Sequence, residues 1–393
     1  MISSLPDFPW DSLAPYKERA SAVEGGLVDL SVGTPVDPTP EVIQEALRAA
    51  SDAPGYPQTW GTPALREAVA TWFAARRGVA DVDPDGVLPT IGSKELVAWL
   101  PTLLGIEKGQ TVAFPTVAYP TYDVGARIAG ATPVAADATT AFGPVTARTA
   151  PRLLWLNSPG NPTGQVLGVP HLRKVVRWAR QHGVIVASDE CYAELDWRTD
   201  TERREDGGDS THREPPTTPS ILDPRVCEGS HEGLLAVYSL SKQSNLAGYR
   251  AAFVAGDVSL VKRLLEVRKH AGMIMPAPVQ AAMIAALADH DHVAEQKARY
   301  AARRAILEPA LAPFGLTVEH SRAGLYLWST AGEDSWATIG RLADRGILAA
   351  PGAFYGPAGA RHVRIALTAT DERIATAAER LSTPGYVTTR TLR

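Results

Sequence analysis

Lys242 stands in Ser239-Leu240-Ser241-Lys242, with Arg250 eight residues further on. A lone lysine in a polar run is ordinarily a solvated surface residue. Here two hydroxyls and a guanidinium surround it, and that set suits an anionic phosphate beside a lysine able to bond a carbonyl carbon. Two further groups of residues carry chemistry. Ser158-Pro159-Gly160-Asn161-Pro162-Thr163-Gly164 follows the apolar run 153–156; its residue types are those that turns select. Ser188-Asp189-Glu190-Cys191-Tyr192 closes the apolar run 184–187. Ligand sites in open α/β sheets lie at such carboxyl ends. An aspartate buried there requires a cationic partner, which a protonated pyridine ring would supply.

The elements that must position these residues are legible as short apolar runs at 27–32, 87–91, 111–114, 153–156, 184–188, 234–239 and 252–255. Most are apolar throughout, as strands of a parallel sheet covered on both faces by helices are. Helical patterns at 41–50 and 63–77 alternate with them. After Pro278 the texture changes to long helical patterns reaching Leu311, then to alternating runs at 316–319, 324–329 and 363–367. That is the pattern of a smaller α+β unit appended to a large α/β one. The stretch 198–220 is crowded with Asp, Glu, Arg, Gly, Thr and Pro, and its low apolar content predicts a solvated insertion loop.

Composition limits the partners. The formal net charge of −4, with both signs spread evenly, gives no footprint for nucleic acid. The two cysteines, Cys191 and Cys227, are far apart with no His-rich neighbourhood, so they read as reduced thiols and no metal site is expected. The N-terminal residues lack a basic region followed by an apolar run, and no apolar stretch is long enough to span a bilayer. A cytoplasmic protein without membrane contact is expected.

Taken in this order and at these intervals, Asn161-Pro162-Thr163-Gly164, Asp189 with Tyr192, and Ser239-x-Ser241-Lys242 with Arg250 resemble the class I/II aminotransferases of fold type I. The resemblance implies an α/β fold: a large domain, residues 33–285, with a mainly parallel seven-stranded sheet sandwiched by helices. Residues 1–32 and 286–393 would form an N-terminal arm and a smaller α+β domain. It implies pyridoxal 5′-phosphate (PLP) as cofactor and amino acids and 2-oxo acids as substrates. Lys242 becomes the Schiff-base lysine and proton carrier. Asp189 pairs with the pyridinium nitrogen, and Tyr192 and Asn161 hydrogen-bond the ring's phenolic oxygen. Ser239, Ser241 and Arg250 hold the phosphate, with the backbone N–H groups of Ser93 and Lys94 at a helix start. Tyr119 stacks on the ring. Arg364 clamps the substrate α-carboxylate, and the Gly33 backbone borders it. Tyr56 reaches the phosphate from a neighbouring subunit, which implies a homodimer with shared sites.

Four further stretches, beginning at Leu5, Asp29, Gly55 and Lys242, look like the N-succinyl-diaminopimelate aminotransferases of lysine biosynthesis. That likeness implies reversible transfer between N-succinyl-L,L-2,6-diaminopimelate and 2-oxoglutarate. Such a substrate carries distal carboxylates, for which Lys94, Arg19 and Arg322 are the candidate partners. Aminotransferases of aromatic or dicarboxylic amino acids and β-lyases share the same pattern. Ser239-x-x-Lys242 also fits serine acyl enzymes, but no Ser-Asp-Asn or Lys-Thr-Gly accompanies it. A cofactor-sensing regulator would carry a preceding basic helix-turn-helix, and the sequence shows none.

Overall fold

The computed structural model describes residues 5–146, 149–207 and 218–383. In chain order its strands are β1 (Val28–Asp29), β2 (Val87–Ile91), β3 (Thr111–Phe114), β4 (Thr132–Ala135), β5 (Leu153–Asn157), β6 (Ile185–Asp189), β7 (Leu234–Ser239), β8 (Ala251–Gly256), β9 (Thr317–Val318), β10 (Tyr326–Thr330), β11 (Ile347–Leu348), β12 (Ala350–Pro351) and β13 (Val363–Ala366).

β2 through β8 form one seven-stranded sheet in the order β2-β8-β7-β6-β5-β3-β4. Only the pairings of β8 are antiparallel. The apolar runs are continuous because both faces are buried. In β7, Leu234, Ala236 and Tyr238 face one core, backed by the helices Glu41–Ala49, Pro63–Trp72, Val169–His182 and Ala277–Ala288. Leu235 and Val237 face the other, backed by Ser93–Leu103, Thr121–Ile128 and Val258–Ala271. Successive side chains of a strand point to opposite faces, so one run serves two cores.

The later part of the chain forms a four-stranded antiparallel sheet, β12-β13-β10-β9. A third core joins it to the helices Asp291–Leu311, Ser335–Ala343 and Asp371–Ser382. β1 pairs with β11 and stays outside the central sheet, so the expected strand at 27–32 shrinks to two paired residues. Its neighbours Leu30 and Ser31 are buried, and they lead the chain into the site.

The solvated loop expected at 198–220 is corrected where the structure describes it. Arg198 is buried, donating from Nη2 to Asp196 at 2.8 Å and from Nη1 to Asp206 at 2.7 Å. Asp200–Glu205 is a short helix whose Thr199 and Glu202 form a reciprocal capping box. Thr218 and Ser220 are buried, and Ser220 Oγ and the Ile221 N–H donate to Glu190. Polar composition reads as a loop because it lacks apolar area, but paired charges stabilise the burial here. Residues 208–217 of that stretch lie outside the described residues.

Candidate active site

The strand register explains why distant motifs meet. β5, β6 and β7 are parallel; β5 and β6 end together, Asn157 opposite Asp189, and β7 runs from Val237, opposite Asp189, two residues further to Ser239. β8 runs the other way, so it begins where they end, with Ala252 opposite Ser239 and Ala251 opposite Ile91. Arg250, the residue before β8, is thereby set beside Gly92, the residue after β2. An added Cβ at Gly92 would lie 2.1 Å from Arg250 Nη2, and Gly92 has φ +79°. A side chain there would be both strained and obstructed.

A cavity of about 1210 Å³ opens at this edge. Gly33, Ser93, Lys94, Tyr119, Asn161, Asp189, Tyr192, Ser239, Ser241, Lys242, Arg250 and Arg364 all line it. Tyr56 does not; it is 100% exposed on the surface. Of the candidates for a distal carboxylate, Lys94 lines the cavity, whereas Arg19 pairs with Asp344 and Arg322 with Asp206 and Glu202. Those two belong to surface ion pairs. The N-terminal residues Leu5 to Trp10 and the loop at Phe354 and Tyr355 form an apolar outer wall, to which Phe8, Trp10 and Phe354 contribute rings packed 5.2 to 5.6 Å apart.

On the floor, Asp189 is buried, accepting from the Tyr122 hydroxyl at 2.9 Å and the Cys191 N–H at 3.2 Å. Burial pushes its carboxyl above the usual range, only partly opposed by those bonds. Tyr122 stacks on Trp155 at 4.9 Å. Asn157 ties the neighbouring loop down: its Nδ2 donates to the carbonyls of Pro159 and Asp189, and its Oδ1 accepts from the Asn161 N–H at 2.7 Å. The Ser158–Pro159 and Asn161–Pro162 peptides are cis. Asn161 Oδ1 then accepts from Arg364 Nη1 at 2.9 Å, while Arg364 Nη2 donates to the Ser31 carbonyl at 2.6 Å. Arg364 Nε is buried with no hydrogen-bond partner among the described residues.

Ser239 Oγ donates to Ser241 Oγ at 2.9 Å, and both line the cavity with Ser93, the first residue of the helix Ser93–Leu103. Lys242 Nζ donates to the Gly33 carbonyl, and burial holds its amine below the usual lysine range. Burial likewise pushes the Tyr119 hydroxyl up to about 12. Two residues of the site escaped the sequence reading: Tyr122, buried behind Asp189, and Tyr326, which lines the cavity. Tyr122 stands three residues after Tyr119, in a stretch the reading used only for Tyr119. Tyr326, in β10, puts its hydroxyl 3.0 Å from that of Tyr192; no local signal distinguishes it from a core tyrosine.

Over residues 26–381 the chain matches the family described as aminotransferase class I and II. It belongs to that family. Among its relatives, 4-dedimethylamino-4-oxo-anhydrotetracycline transaminase OxyQ of Streptomyces rimosus is 56% identical, over 97% of this chain and 100% of that protein. The probable aminotransferase Rv1178 of Mycobacterium tuberculosis is 58% identical, over 97% and 86% respectively. Among solved structures, a probable N-succinyldiaminopimelate aminotransferase from Thermus thermophilus superposes with a TM-score of 0.80 at 30% identity, covering 95% of this chain and 99% of that one. The expected fold type and PLP dependence hold. The relatives share amino transfer, but OxyQ and the Thermus protein are named for different substrates and Rv1178 for none, so the likeness expected from the four stretches is matched at the level of the family.

The residues present fit PLP. The carboxylate of Asp189 is buried and, among the described residues, has no cationic side chain paired with it, so it is suited to a protonated ring nitrogen. The bonded hydroxyls of Ser239 and Ser241 line the cavity together with the Arg250 guanidinium, which lies against Gly92, the cap of the helix that starts at Ser93. That corner is suited to a phosphate.

Proposed function

We propose that this chain transfers an amino group reversibly between N-succinyl-L,L-2,6-diaminopimelate and 2-oxoglutarate. The observation that carries this reading is the set of cations lining the cavity: Lys94, Arg127, Lys242, Arg250 and Arg364. Arg127 is neutralised by two bonds to Asp123, at 2.6 and 3.0 Å. Lys242 and Arg250 serve the cofactor and Arg364 an α-carboxylate. Lys94 remains, with no ion pair among the described residues and a ring contact to Phe8 at 5.4 Å. Burial and the charge of Arg250 hold its amine below the usual range. A carboxylate arriving there would meet a partly desolvated cation, the setting in which an ion pair counts most. A substrate with carboxylates at both ends suits two such anchors.

When bound, PLP draws electrons from the substrate Cα. In this reading Lys242 holds the cofactor covalently and moves the proton at Cα, with Asp189 opposite the ring nitrogen and Tyr192 and Asn161 at the ring oxygen. Ser239, Ser241, Arg250 and the amides of Ser93 and Lys94 fix the phosphate, and Tyr119 covers the ring. Arg364 and the Gly33 backbone orient the α-carboxylate. Residues 33–285 act as the cofactor-binding body, with 1–32 and 286–393 as arm and smaller domain. Tyr56, fully exposed, completes the phosphate site of a second subunit in a homodimer.

A second reading has an observation of its own. The aromatic outer wall and the 56% identity to OxyQ favour a bulky polycyclic ketone as amino acceptor. One assay separates the two: glutamate-dependent amination of the succinylated oxo acid against aromatic oxo acids and a polycyclic ketone. The succinylated acid is expected to be fastest, with its KM raised about tenfold or more by Lys94→Gln. A faster polycyclic or aromatic acceptor overturns the substrate and leaves the family standing. Lys242→Ala is expected to lose turnover and the cofactor's visible absorbance together; retained transamination would overturn the assignment of Lys242.

A further inference from the structure

Tyr326 reaches the cavity from β10, in the four-stranded sheet rather than the sheet that carries the motif loops. Its ring lies against the Arg364 guanidinium, with 4.0 Å from Cζ to the ring centroid. Its hydroxyl fills the place of a Gly33 side chain, since an added Cβ would lie 2.1 Å away from it. The carbonyl of the same Gly33 receives Lys242 Nζ. The phenol, the amine and, through the phenol ring, the guanidinium are therefore gathered near one glycine, which has room for the phenol only because it lacks a side chain.

We propose that Tyr326 is an acid–base partner of Lys242, its phenol oxygen taking the proton that the Lys242 amine must shed and returning it later in the cycle. In the forward sense a lysine N–H bond breaks, the electron pair stays on nitrogen, and the Tyr326 O–H bond forms. The reverse step restores both groups, so no net proton is consumed. Tyr326 thus acts on the reaction through Lys242.

The electrostatics agree with this geometry. Burial pushes the Tyr326 phenol up, but Arg364, Lys242 and the hydrogen bond from Tyr192 outweigh it and hold the group below the ordinary tyrosine range. Tyr192 goes the other way: burial and the neighbouring Tyr326 push it well up. Of the pair, ionisation is favoured at Tyr326 and opposed at Tyr192. Cys191 also faces Tyr326 and opposes its ionisation; Tyr119, Tyr300 and Tyr355 feel its charge from further out. For Lys242, burial lowers the amine, Tyr326 raises it, and Arg364 and Arg250 lower it. Lys242 and Tyr326 therefore each favour the charged form of the other.

The inference rests on the Lys242 assignment above, yet its test uses protein stripped of cofactor and reads protons alone. A failure here leaves that assignment untouched. Tyrosinate ultraviolet absorbance is titrated in wild type, Tyr326→Phe, Lys242→Ala and Tyr192→Phe. One tyrosine is expected to ionise below about pH 10, the ordinary tyrosine value. That step should vanish in Tyr326→Phe, persist in Tyr192→Phe, and move up by about 1 to 3 pH units in Lys242→Ala. Reciprocally, the pH midpoint for labelling Lys242 by an amine-directed reagent should fall in Tyr326→Phe. A merely structural role for the hydroxyl would produce no reciprocal shift. Superimposable wild-type and Lys242→Ala titrations would overturn the proposal, as would an unchanged Lys242 midpoint in Tyr326→Phe. Should Lys242→Ala not fold, the labelling midpoint decides alone.

Discussion

Asp189 shows how one side chain can be unfavourable for the polypeptide and useful to the enzyme. Its carboxyl is buried, and burial raises its pKa despite the bonds from Cys191 and Tyr122. A raised acid in the folded state keeps a proton that the unfolded chain has released. Stability of the cofactor-free protein should therefore fall as pH rises from the unfolded value of 3.8 through the raised folded value. Asp189→Asn should remove part of that fall, measured by denaturant unfolding across the acid range. Glu190, raised by the same burial, keeps its share. Bound PLP should have a similar effect in wild type, because a protonated ring nitrogen offsets the desolvation. Asp189→Asn should at the same time lower transamination by about 100-fold or more. If the substitution leaves the pH slope unchanged, the burial account of Asp189 is wrong. Tyr122→Phe removes the 2.9 Å donor and should weaken cofactor retention roughly tenfold, the scale of one hydrogen bond to a charged group.

At the scale of elements, the site depends on strand direction. Antiparallel β8 brings Arg250 to the edge where β5, β6 and β7 end, and the turn at Gly92 passes under its guanidinium. Gly92→Ala imposes φ +79° on a residue with a side chain and places Cβ 2.1 Å from Arg250 Nη2. We expect a stability loss of about 1 to 2 kcal/mol and a larger proportional loss of phosphate affinity, read by titrating inorganic phosphate or PLP into stripped protein. Equal affinity in the variant would show that Arg250 holds no phosphate. Much of this scale was legible in the sequence. Strands buried on both faces are apolar throughout, so β5 and β7 announce themselves. β4 did not, because Thr132 and Pro133 interrupt its short run and its residues are only partly covered. Nor did Tyr326. Its neighbours Tyr192 and Gly33 are brought to it by two sheets closing on each other, and a phenol's role there depends on that closure rather than on its own sequence context.

The whole molecule is held around the site by a polar chain between its two larger sheets. Asn245, three residues past Lys242, donates to Gln296 Oε1 at 2.9 Å; Gln296 donates to Asp37 at 2.8 Å; Arg303 makes two bonds to Asp37, at 2.8 and 2.6 Å, and one to Asp371 at 2.7 Å. The long helix Asp291–Leu311 thereby grips the segment after Gly33, the loop after Lys242 and the C-terminal helix together. Burial pushes the Asp37 carboxyl up, but the bonds from Arg303 and Gln296 and the charge of Arg303 outweigh it, leaving the group below its usual 3.8. A depressed acid contributes stability that is present above the unfolded value and lost as pH falls through the folded one. Arg303→Met should therefore cost about 1 to 2 kcal/mol near neutral pH, because it leaves a half-buried carboxylate with the Gln296 hydrogen bond but without its ion pair. The difference from wild type should shrink below about pH 4, where Asp37 is protonated in the variant and then in both. Denaturant unfolding at both pH values measures it. A penalty independent of pH would mean that Arg303 matters through packing alone. The polar chain ends at the loop that carries Lys242, so a true electrostatic clamp has a second signature: cofactor retention in Arg303→Met should fall in parallel with stability and recover in Asp37→Asn/Arg303→Met, where no half-buried charge is left without its ion pair.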